Sequence, residues 1–373
     1  MTPSRILIVN PFGIGDVLFT TPLIRAIRRA FPESSLGYLC NRRTEQVLRG
    51  NPHLNELFIY EKDALVELWR RSPRRSIISL GGLLRRLYQK RYDLAIDLSL
   101  GERYSLILKA FGVRRRVGFN YRNRGRFLTE ALAIDGYHEG HVVEYYRRLL
   151  QCLGVVLRDA SLELVVSEED RRWAEHWLRE RHLDRGQPLV GIIPAGGVSW
   201  GVDAPFRRWS SEGFAMVGDA LTERYHAQVI LFGEAADKPI CSLVSRLMKY
   251  PVIDLSGQTN LQQFVSLLGC LRLVVCNDGG PLHLAVSQKV STVSIFGPVD
   301  PSVYGPHPLS DPQHRTVYRE DLSCRPCYHQ FKLPPCPYER ACLTTVEPEE
   351  VVEACASLLG TPAGRRTPAS ADV

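Results

Sequence analysis

The stretch Cys276-Asn277-Asp278-Gly279-Gly280-Pro281-Leu282-His283-Leu284-Ala285 constrains this chain more than any other. Leu271, Leu273, Val274, Val275 and Cys276 make a short apolar run, Asn277 to Gly280 break it, and Pro281 opens a helical pattern. The local reading is strand, tight glycine turn, helix N-terminus. Such a turn aims backbone N–H groups at an anion, and the positive end of the helix dipole favours a phosphate there. Asp278 would repel that phosphate. Its better task is to accept hydrogen bonds from sugar hydroxyls, so a nucleotide-sugar fits this turn better than a bare nucleotide.

The same unit opens the chain. Arg5–Asn10 reads as a strand, Pro11 to Asp16 as a turn carrying Gly13 and Gly15, and Val17 to Ile27 as a helix at 3.6-residue spacing. A dinucleotide fingerprint is disfavoured: Leu18 stands where a third glycine belongs, and the next strand, Leu36–Cys40, ends in Asn41-Arg42-Arg43 without a ribose-binding carboxylate. Asp16 has two compatible readings. It is a first-turn carboxylate complementing the dipole, and a carboxylate at the C-terminal edge of a parallel sheet, where open α/β proteins place their chemistry.

Further strands are expected at Glu56–Tyr60, Asp93–Leu98 and up to Asn120, with helices at Ala64–Arg70, Leu83–Arg91, Tyr104–Phe111 and Tyr137–Leu153. A charged helix from Ser167 to His182 bridges to a second alternation. That half carries a glycine turn at Pro194-Ala195-Gly196-Gly197 after the Pro188–Ile193 strand, and a strand at Gln228–Phe232 ending at Gly233. The expected fold is therefore α/β, two doubly wound Rossmann-like parallel-sheet domains facing across a cleft. The first spans 1–165, and the second, which carries the turn suited to a nucleotide-sugar, spans 166–345. A helix over 346–360 and a disordered polar tail over 361–373 complete the chain. At 373 residues with 45% hydrophobic content there is material for two cores of roughly 150 residues each.

No signal-peptide pattern precedes the first strand and no apolar run reaches membrane-spanning length, so a soluble, cytoplasmic protein is expected. The formal charge of +7 is unevenly placed: Arg70, Arg71, Arg74, Arg75, Arg85, Arg86, Lys90 and Arg91 crowd one segment, and Arg114, Arg115, Arg116, Arg122, Arg124 and Arg126 another. This is either a solvated face or a surface for a polyanion or an anionic membrane. Stacking aromatics are sparse among these residues, which disfavours nucleic acid.

Four motifs resemble glycosyltransferase family 9, the heptosyltransferases of lipopolysaccharide inner-core synthesis. They are Ile8 to Leu18 with Thr20-Thr21-Pro22; Arg207-Arg208-Trp209-Ser210; Asp278 to Ala285; and Ile295-Phe296-Gly297-Pro298-Val299-Asp300-Pro301, spread over about 300 residues in the family's order. The resemblance implies the GT-B architecture and an inverting, metal-independent transfer from ADP-L-glycero-β-D-manno-heptose to a core saccharide, at the cytoplasmic face of the inner membrane. It implies that Asp16 is the general base, that Arg207 takes the place of a lysine on the diphosphate, and that Gly196, Gly197, Asp278, Gly279, Gly280 and His283 bind the donor. Asp237 falls at an acidic position for the ribose, in competition with Glu234. Gly279 stands where relatives carry Ser or Thr. Two other readings stay open: a transferase using another nucleotide-sugar for a different surface glycan, and a non-catalytic sugar-nucleotide-binding protein.

Cys324-Arg325-Pro326-Cys327, Cys336 and Cys342 lie in a Pro-rich stretch over 324–342. Four thiolates at this spacing fit a closed structural zinc site, and equally free thiols or a disulfide. Four sulfur ligands leave no open position, so a catalytic metal is not expected there.

Overall fold

The computed structural model describes residues 2–183, 186–196 and 201–360. Gly197 and the tail from Thr361 lie outside them. The first sheet contains β1 (Arg5–Val9), β2 (Ser35–Cys40), β3 (Glu56–Ile59), β4 (Leu94–Asp97), β5 (Arg115–Tyr121) and β6 (Glu130–Ile134), all parallel, in the order β3-β2-β1-β4-β5-β6. The second contains β7 (Leu189–Ile193), β8 (Gln228–Leu231), β9 (Ile253–Asp254), β10 (Leu273–Asn277), β11 (Ser291–Ile295) and β12 (His314–Val317), in the order β12-β11-β10-β7-β8-β9. Read from β9, this is the same order as the first sheet. The central strands are buried along their whole length, as in Leu189–Ile193 and Leu273–Asn277, because helices cover both faces of a parallel sheet.

Several local expectations need correction. The helix expected from Tyr137 begins at Val142, with His141 as its N-cap, because Gly136 and Gly140 take backbone conformations outside the helical region. The helix expected from Leu83 begins ten residues earlier and runs Pro73–Gln89, with Gly81 and Gly82 inside it. β6 and β12 went unanticipated. Both are edge strands with polar or partly exposed residues, so they lack the apolar run that marks a buried strand.

The halves are joined at several places, two of them through long irregular segments. One is the segment over 153–167, pinned to the first half by the buried Arg25, which pairs with Glu163 at 2.9 Å and Asp159 at 3.0 Å. It ends where the Ser167 hydroxyl accepts from Asp170 N at 3.1 Å and caps the Glu168–Glu180 helix. The other is the cysteine-rich loop, which reaches from the second half onto the first. Tyr121 Oη donates to Gln330 O at 2.9 Å, and the Phe331 ring lies 5.1 Å from both Tyr121 and Tyr137. The Pro348–Leu359 helix closes the second half against the Ser211–Tyr225 helix and β11.

Candidate active site

In each sheet the order reverses between two central strands, β1 and β4 in the first and β7 and β10 in the second. Connections leave such a pair on opposite faces, opening a crevice at its C-terminal ends where open α/β sheets bind ligands. Asp16 follows β1, and Gly196 and Asp278 follow β7 and β10.

An asparagine organises each of these ends. Asn10, fully buried, accepts from Phe12 N at 3.1 Å and donates to Asp16 O at 3.2 Å, bending the chain directly after β1. Asp16 sits in the first turn of the Ile14–Leu18 helix, and its Oδ2 accepts from Gly13 N at 3.2 Å. The Gly13 N–H is therefore taken up by the Asp16 carboxylate. Burial pushes the Asp16 carboxyl up to about 6, against the opposing pull of the Gly13 N–H and the Arg207 charge.

Asn277, also fully buried, donates to Pro194 O at 2.7 Å and accepts from Trp209 N at 2.8 Å. It thus ties the end of β7 and the Arg207-Arg208-Trp209 segment to the end of β10. Arg207 and Asp278 form a buried ion pair. The diphosphate cation and the sugar-binding carboxylate expected from sequence therefore hold each other in this state. The Asp278 carboxyl is nonetheless raised, because burial outweighs the Arg207 charge. Gly279 is required by proximity: a Cβ there would stand 2.5 Å from Gly196 O. This backbone contact brings the two expected donor turns together.

Asp237 lies in the turn after β8. Its Oδ2 accepts from Glu234 N at 3.0 Å, its Oδ1 lies 3.8 Å from Arg208 Nη2, and the residue is buried, whereas Glu234 is exposed. Asp237 shapes the turn after β8 and leaves Glu234 as the carboxylate facing outward.

The two turns confront each other. A Cβ on Gly15 would meet His283 Cδ2 at 2.9 Å, and one on Gly280 would meet Ile14 Cβ at 3.4 Å. His283 packs its ring 4.4 Å from Phe19, and burial, then the Arg207 charge, lowers its pKa to about 3. His283 is thus a neutral ring seated on the first half's turn. His141 is a second strut: its Nδ1 accepts from Val143 N at 3.2 Å, which leaves Nε2 to donate to Gly305 O at 3.2 Å across the halves.

Two residues here were not singled out from sequence. One is Asn277, whose partners lie 68 and 83 residues away. The other is Asp97, paired in register with Val9 at the end of β4. Its Oδ1 accepts from Ser99 N at 3.0 Å, its Oδ2 is buried without a hydrogen-bond partner, and burial pushes its carboxyl up to about 6. The available signal was a carboxylate inside the apolar run Leu94-Ala95-Ile96-Asp97-Leu98, on the strand beside β1.

In the cysteine-rich loop, burial raises the Cys327 and Cys342 thiols, and the neighbouring cysteines of the cluster push the same way. Among the described residues, however, no three His, Cys, Asp or Glu side chains are grouped so as to hold a metal ion. The zinc reading gains no geometry from this arrangement, and no step of the chemistry below passes through a metal.

Two six-stranded parallel sheets of this order, meeting at their switch points, are the architecture of the GT-B class of glycosyltransferases. The profile of glycosyltransferase family 9 (heptosyltransferase) matches residues 81–336, over two thirds of the chain, and the chain belongs to that family. Lipopolysaccharide heptosyltransferase 3 of Escherichia coli K12 is 25% identical over 291 residues, covering 77% of this chain and 80% of its own. The crystal structure of the family 9 glycosyltransferase from Veillonella parvula DSM 2008 matches with a TM-score of 0.78 at 26% identity, covering 95% of this chain and 97% of that one. The structure of E. coli ADP-heptose LPS heptosyltransferase II matches with a TM-score of 0.71 at 23% identity, over 95% and 98% of the two chains. The family expected from the four motifs and the two-domain fold are both confirmed.

Proposed function

We propose that this glycosyltransferase moves a heptosyl group from ADP-heptose to a hydroxyl of a lipopolysaccharide core, with inversion at the anomeric carbon. The observation that carries the reading is the desolvated Asp16 carboxyl opposite the Arg207–Asp278 pair, at the switch points of the two sheets. The names of the relatives supply the sugar and acceptor class: the matches include lipopolysaccharide heptosyltransferase 2 of E. coli and the core heptosyltransferase OpsX of Haemophilus influenzae.

In the proposed step the acceptor O–H gives its proton to Asp16 while that oxygen bonds to the anomeric carbon. The bond from this carbon to the diphosphate oxygen breaks on the opposite face, and its electron pair leaves with the nucleoside diphosphate. Arg207 meets the charge that grows there, a donor already in place when the charge develops. To do so it must exchange part of its pairing with Asp278 for the diphosphate, which frees Asp278 to accept from a sugar hydroxyl. A group with a pKa of about 6 is about nine-tenths ionised at pH 7 and still basic enough to take the proton as the new bond forms. Asp97 adds a second carboxylate for acceptor hydroxyls on the same sheet edge.

The test is to supply purified protein with delipidated core saccharide and, separately, ADP-heptose, a UDP-sugar and a GDP-sugar, and to identify the products by mass spectrometry and NMR. A heptosylated product from the ADP donor alone, with inverted anomeric configuration, is expected. Product from another donor, or none from any, refutes the reading. The structural zinc proposed for Cys324, Cys327, Cys336 and Cys342 is decided by elemental analysis: one zinc per chain supports it, and less than a tenth of that removes it.

A further inference from the structure

We propose that the helical hairpin formed by Lys62–Arg71 and Pro73–Gln89 is a docking element for an anionic lipid bilayer, inserting Trp69, Ile77 and Ile78 while arginines engage the headgroups. The proposal depends on the function above in one respect only: a lipid-borne acceptor gives the hairpin something to reach.

The hairpin is anchored at one end. Arg5 Nη1 donates to Lys90 O at 2.6 Å and Lys90 pairs with Glu56, which fixes the end of the second helix at the N-terminal edge of the first sheet. Seventeen helical residues span about 25 Å, whereas the four-residue β4 spans about 13 Å. The start of this helix, with the Lys62–Arg71 helix that follows β3, therefore overhangs the C-terminal edge, the edge that carries Asp16. The Lys62–Arg71 helix buries no residue at all, and the longer helix buries only Ser76, Leu83 and Leu87.

The exposed face is organised. At 100° per residue, Arg74, Ile77, Ile78, Gly81 and Arg85 share one stripe, opposite Ser76, Leu83 and Leu87. Ile77 is 58% exposed, Ile78 72%, and Trp69 on the neighbouring helix 53%. Water does not stabilise large apolar side chains on a protruding element, and the adjacent Ile77 and Ile78 on one stripe are unlike the scattered apolar residues of an ordinary surface. The Pro73–Gln89 helix has four arginines and no acidic residue. Apolar residues bracketed by arginines, with an exposed tryptophan on the other helix of the hairpin, match the layered chemistry of a membrane interface with acidic headgroups. A second copy fits poorly, because a two-fold contact through this face would set Arg74 and Arg85 against their own counterparts.

The test is co-sedimentation of the full chain with vesicles of phosphatidylcholine alone and of phosphatidylcholine with phosphatidylglycerol at 7:3, while following tryptophan emission. Binding to the anionic vesicles and a blue shift are expected, with little binding to the neutral ones. Arg74→Gln/Arg85→Gln is expected to weaken partitioning about fivefold per arginine. Ile77→Ser/Ile78→Ser is expected to weaken it at least tenfold, and Trp69→Phe to keep binding while losing the shift. Absence of binding to the anionic vesicles overturns the proposal, as does binding indifferent to the isoleucine change. A wild-type chain that is dimeric by light scattering, and monomeric once the isoleucines are replaced, also overturns it. In vesicle-free solution with delipidated acceptor every variant should turn over like the wild type. Loss of turnover in the wild type itself would count against the proposed function and leave the docking result standing.

Discussion

Asp16→Asn is expected to lower kcat by 10²- to 10⁴-fold while the affinity for the donor nucleotide changes by less than about threefold. The amide keeps an oxygen to accept from Gly13 N, so the turn after β1 stands and only the proton acceptor is lost. In the wild type, kcat/KM should rise through an apparent pKa of about 6 and level off above it, not near the ordinary aspartate value of 3.8. The stability effect has the opposite sign. Between the unfolded and folded values the native chain holds a proton that the unfolded chain has released, so this carboxyl disfavours the native state increasingly as pH rises through that window. The cost is on the order of 2–3 kcal/mol at neutral pH. Asp16→Asn should therefore melt no lower than the wild type at pH 7, by calorimetry, while being nearly inactive. A variant that is both unstable and inactive, or one that turns over normally, would contradict the assignment of Asp16 as the base.

The second large effect is at Arg207. Replacing it by Gln removes the cation proposed to meet the departing diphosphate, and a loss of 10²- to 10³-fold in kcat is expected. It also strands Asp278, whose side chain is 3% exposed, as a buried carboxylate without its charge partner. Losing one member of such a pair costs about 3–5 kcal/mol, and the Asp278 carboxyl should then be raised further still. Arg207→Gln/Asp278→Asn separates the two consequences: chemical denaturation should show most of the stability returning, because two neutral amides replace a stranded charge, while kcat stays low. If the double variant regains turnover, Arg207 contributes through the fold and not through the leaving group. Arg207→Lys tests geometry, since a point charge cannot reproduce the planar fork, and should fall between the wild type and Gln.

The parts of this site legible in the sequence are those whose physics is local. β1, β7 and β10 announce themselves as apolar runs because parallel strands are buried on both faces, and the turns after them announce themselves by Gly13, Gly15, Gly279 and Pro281. Asp16 and Asp278 follow from their place in those turns. What stayed hidden depends on distant partners. That Arg207 and Asp278 neutralise each other, that His283 is a neutral ring against Gly15, and that Asp237 accepts from its own turn are all facts of the packed cleft. Asn277 reads as part of a turn until Trp209 N and Pro194 O are seen on either side of it. The Pro73–Gln89 helix was half hidden because Gly81, Gly82 and its serines weaken local helix propensity, which the contact with the sheet through Leu83 and Leu87 overrides.

The second junction between the halves bears on how they move. A pair of domains strung on one linker can twist and slide freely, but here the 324–342 loop lays Phe331 between Tyr121 and Tyr137 while the 153–167 segment fastens the far side at Arg25. With Gln262 donating to Gln46 O at 2.7 Å and His141 to Gly305 O at 3.2 Å, the halves are held at several separate places, so one cannot twist on the other as it could on a lone linker.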